Sequence, residues 1–275
     1  MNELRLNLRD AVRALRRNPG FTAILVLILA LGIGANSALF GIVNAVLLRP
    51  LPYPQSDRIV SIASAAGGAE VIDVQTVRMM LGERWRSFDA LAAYDPDGAN
   101  LTGGEQPECV NGGSVSPDFF RVMNVHPALG RGFSPGEARS RDPQVVILAH
   151  SLWKRDFGGD PGIIGRTVKL DDRGYTVVGV MPAGFRYPRD AEYWLPLELP
   201  ALVPGQIRYD FLIGRLRAER SLDAARAEIV TLQRAHQAEL PPNRNVHDIS
   251  VMSLHERTYG DLRPHVDPVI ALRAE

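Results

Sequence analysis

The chain has 275 residues with 31 basic and 31 acidic side chains, so no global charge bias directs it toward nucleic acid or acidic partners. One cysteine, Cys109, excludes an intrachain disulfide and any cysteine-based zinc motif. The length allows one large or two small globular domains.

In chain order, the first pattern covers 1–18. Leu4, Leu8, Ala11 and Leu15 recur at helical spacing, and Arg5, Arg9, Arg13 and Arg16 take a neighbouring face, as in a helix lying on a cytoplasmic membrane surface. The basic flank of Arg9, Arg13, Arg16 and Arg17 would also serve simply to set topology, so both readings stand. "NPG" (Asn18 to Gly20) breaks this segment, because proline disfavours a helical conformation in the residue before it.

From Phe21 to Leu48 runs an uninterrupted stretch of 28 residues without a charged side chain. About 20 suffice to cross a bilayer core, where every backbone polar group must pair internally, so the expectation is a transmembrane helix over 21–48. A cleavable signal peptide would show an apolar region of only about 7–15 residues and then a small-residue cleavage site. A soluble core helix of this length and apolarity would be unusual. Arginines crowd before the span, whereas Arg49 and Arg58 alone follow it closely. The N-terminus is therefore expected in the cytoplasm and the remainder outside, which in a bacterial inner (cell) membrane means the periplasm.

Within the span, Ala30, Gly34 and Ala38 form one stripe of small residues, and Ser37, Gly41 and Ala45 another; such stripes let helices pack closely in lipid. Asn36 and Asn44 add amides that would suit a helix contact better than lipid. A single-pass anchor could also carry such residues by chance.

After "RPLPYP", a proline-stiffened exit, "RIVSIAS" alternates like a strand. Apolar recurrence predicts a helix over 74–92, and the polar stretch Asp95 to Gln106 reads as loop or hairpin. "PDFFRVMN" reads as a short helix capped by Ser116, with Pro117 at its first position. "QVVILA" is an apolar strand, and "SLWKRDFG" a short helix that Ser151 can cap and Gly158 ends. "RTVKLDD" and "YTVVGVM" are strands joined by a tight turn, where Asp171 and Asp172 suit turn geometry. "YDFLIGRLRA" is strand-like, Ser221 to about Leu240 an amphipathic helix, and "DISVMSLHE" a final strand. The sum is an α+β domain, expected in two lobes.

"GDPGIIGRT" (Gly159 to Thr167) resembles a phosphate loop but fails the test. Arg166 replaces the lysine, Asp160 falls where the first glycine is required, and a strand follows instead of a helix. It is expected to be a turn that packs Ile163 and Ile164 inward. There is no nucleophile elbow, and His126, His150, His236, His247, His255 and His265 lack metal-ligand spacing. Trp153, Phe157 and Phe185 read as core. No catalytic, cofactor or metal site is expected, and the chain is not read as an enzyme.

Three blocks carry a resemblance: "NPGFTAILVLILALGIGANSALFGIVNAVLLRPLPYP", "VSPDFFRVMNVHPALGRGFSPGE" and "VVILAHSLWKRDFGGDPGIIGRTVKLDDRGYTVVGVMPAGF". Together they resemble the N-terminal part of an ABC transporter permease of the MacB/FtsX type, of the duplicated or orphan flavour. The resemblance implies a MacB-like periplasmic core domain over 50–262 behind the first membrane helix, with 263–275 as a truncated tail. It further implies a cytoplasmic ABC ATPase partner and a homodimer or pairing with another permease half, and the balanced charge adds no nucleic acid to these partners. ATP-driven mechanotransmission or efflux would be the activity, and the chain a fragment of a longer permease. The alternative is a single-pass periplasmic adaptor or binding module without ATP coupling.

Overall fold

A computed structural model describes residues 19–43, 51–64, 72–102, 107–134, 136–137, 143–188, 190–197, 209–235 and 249–259. The chain divides into two compact units, Met1–Arg49 and Pro50–Glu275.

In the first unit, helix α1 runs Pro19–Val43 over 25 residues with no charge in its first or last turn. It starts with proline at its first position, where a missing N–H costs nothing. Ile24, Val26, Leu27, Ile28, Leu29, Leu31, Ile33 and Phe40 are all exposed large apolar side chains. The side chains of Phe21, Leu25, Ala38, Leu39 and 41–43 fall outside the described residues. Among the described residues no helix is long and apolar enough to cross a membrane.

The second unit is one mixed sheet carrying short helices. Its strands are β1 (Ile59–Ser64), β2 (Ile72–Asp73), β3 (Phe88–Thr102), β4 (Glu108–Val115), β5 (Leu129–Gly130), β6 (Val145–Leu148), β7 (Thr167–Leu170), β8 (Arg173–Val180), β9 (Tyr193–Pro196), β10 (Tyr209–Leu216) and β11 (Ile249–Ser253). Its helices are α2 (Val74–Gly82), α3 (Phe119–Met123), α4 (His150–Asp156), α5 (Leu222–Ala235) and α6 (Leu254–Tyr259). Among the described residues the strand order is β11-β1-β10-β3-β4-β9-β6-β8-β5, with β2 beside β10 and β7 beside β3 and β8.

The two expected lobes share strand β3. Its first half pairs with β10 and its second half with β4, so that Tyr94 lies opposite both Phe211 and Val115. Around the β11-β1-β10-β3 portion, α2 and α5 bury Val77, Met80, Ala225 and Ile229 against Val60, Ile62, Phe88, Leu91 and Leu212. The opposite face receives Phe119, Val122 and Met123 of α3 against Ile59, Ala92 and Ile213. In the β6-β8 portion, Leu152 and Trp153 of α4 pack on Val146, Leu148, Val168 and Val177. Alternation along each strand puts one side-chain set on each face, which is how a single sheet serves three clusters.

Three of these local expectations need correction, and two others hold. The helix expected over 74–92 stops at Gly82, and Phe88 opens a strand. Trp85, Phe88 and Leu91 had mimicked helical spacing, but Trp85 instead turns back, its Nε1 donating to the Met80 carbonyl at 2.8 Å and satisfying the helix end. Of the two readings of the polar stretch from Asp95, the hairpin holds: β3 continues to Thr102 and pairs antiparallel with β4 in a full backbone ladder. Ser116 does not cap α3, whose N-cap is Asp118; its Oγ accepts instead from the Ala93 N–H at 3.0 Å, stitching two strands. Ser151 lies inside α4 rather than capping it, and its Oγ is buried without a partner among the described residues. The tight turn between β7 and β8 is as expected, with Asp171 and Asp172 both at positive φ, which short acidic side chains tolerate. Residues 1–18 and 260–275, including the expected amphipathic helix and tail, lie outside the described residues.

Candidate functional site

The segment Leu51–Arg58 leads the chain into the sheet. Leu51 is buried in the cluster that also holds Ile59 and Leu254. Tyr53 meets Phe185 and Tyr187 edge-on, with ring centroids 5.7 and 6.1 Å apart. Gln55 then adopts a left-handed conformation (φ 51°, ψ 49°) and a single 3₁₀ turn, Ser56–Arg58, delivers the chain into β1. Helix α6, which follows the last described strand, packs against that same turn. The beginning and the end of the described sheet domain therefore meet at one place.

Arg215 of β10 organises this place. It shares an inward face with Phe211 and Ile213 and is only 5 % exposed. Its Nε donates to the Val122 carbonyl at 2.6 Å, Nη2 to Pro54 at 3.1 Å and Nη1 to Gln55 at 3.4 Å. Every one of these acceptors is a main-chain carbonyl. Burial, and then the like charge of Arg58, push the guanidinium below its ordinary pKa, while Asp89 and Asp57 act in the opposite direction. The Val122 carbonyl lies at the C-terminal end of α3, where carbonyls lack helical partners.

Arg58 completes the arrangement. Its Nε donates to the Leu216 carbonyl at 2.9 Å, Nη1 to the Gln55 Oε1 at 2.9 Å and Nη2 to the Asp89 carboxylate at 2.8 Å. Arg217 approaches the same carboxylate at 3.8 Å, and Arg121 donates to the Asp89 carbonyl. Basic side chains from β10, α3 and the leading segment converge here on carbonyls and one carboxylate. Such a cluster can grip backbone but offers no nucleophile or general base. Sequence reasoning missed Arg215, although period-two alternation in "YDFLIGRLRA" places it on the apolar face with Phe211 and Ile213, and that was the available signal.

The residues singled out from sequence are distributed as follows. Ala30, Gly34 and Ser37 lie on α1 with exposed surfaces, and a Cβ built on Gly34 would meet nothing within 4 Å. Ala38 and Gly41 belong to the same helix, but their side-chain surroundings lie outside the described residues. Ala45, Arg9, Arg13, Arg16 and Arg17 also lie outside them.

"GDPGIIGRT" is a turn. Pro161–Ile163 forms a 3₁₀ turn in which the Asp160 carboxylate accepts from the Gly162 N–H, and Arg166 pairs with Asp160 at 2.8 Å. The basic residue that imitates a phosphate-binding lysine is thus held by the aspartate in the glycine position. Ile163 is buried, but Ile164 is 36 % exposed, which corrects the expectation that both pack inward. Among the described residues no group of His, Cys, Asp and Glu side chains is placed to hold a metal ion.

The sequence family described as MacB-like periplasmic core domain matches residues 22–232. A probable export ATP-binding/permease protein of Pseudomonas fluorescens is 32 % identical over 123 residues, 44 % of this chain and 17 % of that protein. The macrolide export ATP-binding/permease protein MacB of Burkholderia thailandensis is 27 % identical over 128 residues, 46 % of this chain and 18 % of that one. The chain thus spans less than a fifth of the length of these relatives. The crystal structure of the periplasmic region of MacB from Actinobacillus actinomycetemcomitans matches with a TM-score of 0.55 at 15 % identity, covering 76 % of this chain and 94 % of that one. At that identity the likeness concerns the fold.

Proposed function

This chain belongs to the MacB-like periplasmic core domain family of MacB/FtsX-type permeases, and from that premise we propose that it is the membrane subunit of an ABC-type exporter, without enzymatic activity of its own. In this reading the charge-free stretch 21–48, which continues past the described end of α1, is the first membrane helix, the arginines before it stay in the cytoplasm, and the sheet domain stands in the periplasm. A separate cytoplasmic ATPase supplies the energy, and the small residues of α1 pack against another membrane helix of a dimer or a second permease half. The sheet domain moves with that cycle and passes the motion to whatever is exported.

The observation that carries this reading is the order of parts. A charge-free helix of 25 residues directly precedes a mixed sheet domain whose fold resembles the periplasmic region of MacB. The helix exposes large apolar side chains that water would penalise and lipid would not. The relatives named above are export ATP-binding/permease proteins, which supports an ATP-coupled role.

The test is a periplasm-active reporter enzyme fused after residue 262, together with affinity copurification from membranes. Reporter activity and a stably bound ABC ATPase are the expected results. A reporter silent outside and active only in the cytoplasm would overturn the topology. A correctly oriented chain that never retains an ATPase would instead favour an adaptor without ATP coupling.

A further inference from the structure

We propose that Gln55 and Arg215 form a latch that grips the leading segment onto β10 and α3, and that its release is the step by which movement of the preceding membrane helix is separated from, or joined to, the sheet. The inference rests on the reading above for its purpose, but the latch itself rests on geometry alone.

Three observations carry it. First, Arg215 is a buried cation whose direct acceptors among the described residues are main-chain carbonyls only, two of them supplied by Pro54 and Gln55. A buried charge without a carboxylate in contact is costly and persists only while every acceptor stays in place. Second, Gln55 occupies the left-handed region, which a side-chain-bearing residue adopts at a cost and which is retained where surrounding contacts over-determine it. Here the contacts are Arg58, whose N–H and Nη1 both bond to Gln55, and Arg215. Third, the Asp89 carboxylate stands in the same cluster, held by Arg58 at 2.8 Å and by Arg217 at 3.8 Å, and offers a released Arg215 a charged partner. Both the strained turn and the desolvated cation are relieved by the same event, the lifting of Pro54 and Gln55 from β10. The grip also extends to α3 through Val122, so one guanidinium ties the leading segment to an element of the central cluster.

Amide hydrogen exchange on the full chain in detergent micelles tests this, comparing wild type with Arg215→Met, Gln55→Ala and Gln55→Gly. Arg215→Met is expected to speed exchange of the Arg58 and Val125 amides by about tenfold or more, while the Val177 and Met181 amides, bonded to Arg166 and Leu148, are unchanged. Glycine tolerates the left-handed region, so Gln55→Gly should exchange at Arg58 about fivefold or more slowly than Gln55→Ala. Equal acceleration at Val177 and Met181 would mean that Arg215 serves only general stability, and would overturn the latch. So would a Gln55→Gly variant no slower than Gln55→Ala, a pair that still decides the matter if Arg215→Met does not fold. The reporter fusion is independent of these rates, so failure of the membrane topology and failure of the latch are separately visible.

Discussion

Arg131 holds Glu137 through two parallel hydrogen bonds, Nη2 to Oε1 at 2.7 Å and Nη1 to Oε2 at 3.0 Å. The same carboxylate accepts from the Ser134 backbone N–H at 2.7 Å, so one side chain closes the turn "RGFSPGE". The Arg131 hydrogen bond is the main cause lowering the Glu137 pKa from 4.5 to about 2. A depressed carboxylate contributes stability above its unfolded pKa and loses it as pH falls toward the folded value. Glu137→Gln should therefore destabilise the solubilised chain by about 1 kcal/mol at neutral pH, a figure kept small because solvent screens the exposed Arg131. Thermal unfolding of both proteins across pH should show the difference shrinking below about pH 4.5 and vanishing near about pH 2.

Tyr94 and Tyr187 share a hydroxyl–hydroxyl hydrogen bond of 2.8 Å within an aromatic cluster. Burial, and then the neighbouring Tyr94, raise the Tyr187 pKa well above its ordinary 10.0. A raised phenol gives stability that is present below the unfolded pKa and lost as pH rises past it. Absorbance titration near 295 nm should find Tyr187 silent until alkaline unfolding, whereas Tyr187→Phe removes one tyrosine from the late step. The same substitution should cost about 1 kcal/mol in denaturant unfolding, the worth of one hydrogen bond.

Glycine is required at position 113 by a backbone neighbour. A Cβ there would lie 2.4 Å from the Asp95 carbonyl oxygen across the β3–β4 pair, whereas a Cβ at Gly98 would meet the Val110 oxygen at an ordinary 3.6 Å. Gly113→Ala should destabilise by about 2 kcal/mol or more, since two paired strands must shift, and Gly98→Ala by less than about 1 kcal/mol. Equal midpoints in urea for the two variants would refute the asymmetry.

Adjacent isoleucines in "GDPGIIGRT" should behave oppositely. Ile163 sits in the cluster with Trp153 and Leu152, while Ile164 faces solvent. Ile163→Ala should cost about 2–4 kcal/mol through a cavity, and Ile164→Ala within about 0.5 kcal/mol. Comparable losses at both positions would mean that the loop packs differently.

Much of the strand inventory was legible in the sequence. "RIVSIAS", "QVVILA", "YTVVGVM" and "YDFLIGRLRA" are apolar, β-branched and bounded by turn residues, and each forms a strand. The amphipathic helix expected from Ser221 is seen over Leu222–Ala235 and buries Ala225 and Ile229 as its periodicity requires. Elements that local pattern does not announce form where a long-range partner supplies the pairing. "DPDGANLT" has poor strand propensity, yet β4 supplies a complete set of backbone partners along it. "YWLP" became β9 because Gly112 leaves room for the Tyr193 ring, a contact between residues far apart in sequence.

The sequence by itself determined the parts list: a charge-free helix, an alternating set of strands, a turn at "GDPGIIGRT" that cannot cradle phosphate, and the resemblance to a permease family. The first three follow from periodicity, charge and spacing, which are local properties of the chain, and the resemblance rests on the three quoted blocks. Only the tertiary structure decided that β3 serves both halves of the sheet and that Arg215 reaches Pro54, Gln55 and Val122. Those depend on which distant segments become neighbours, and a buried arginine shows its partners only once the carbonyls around it are in place.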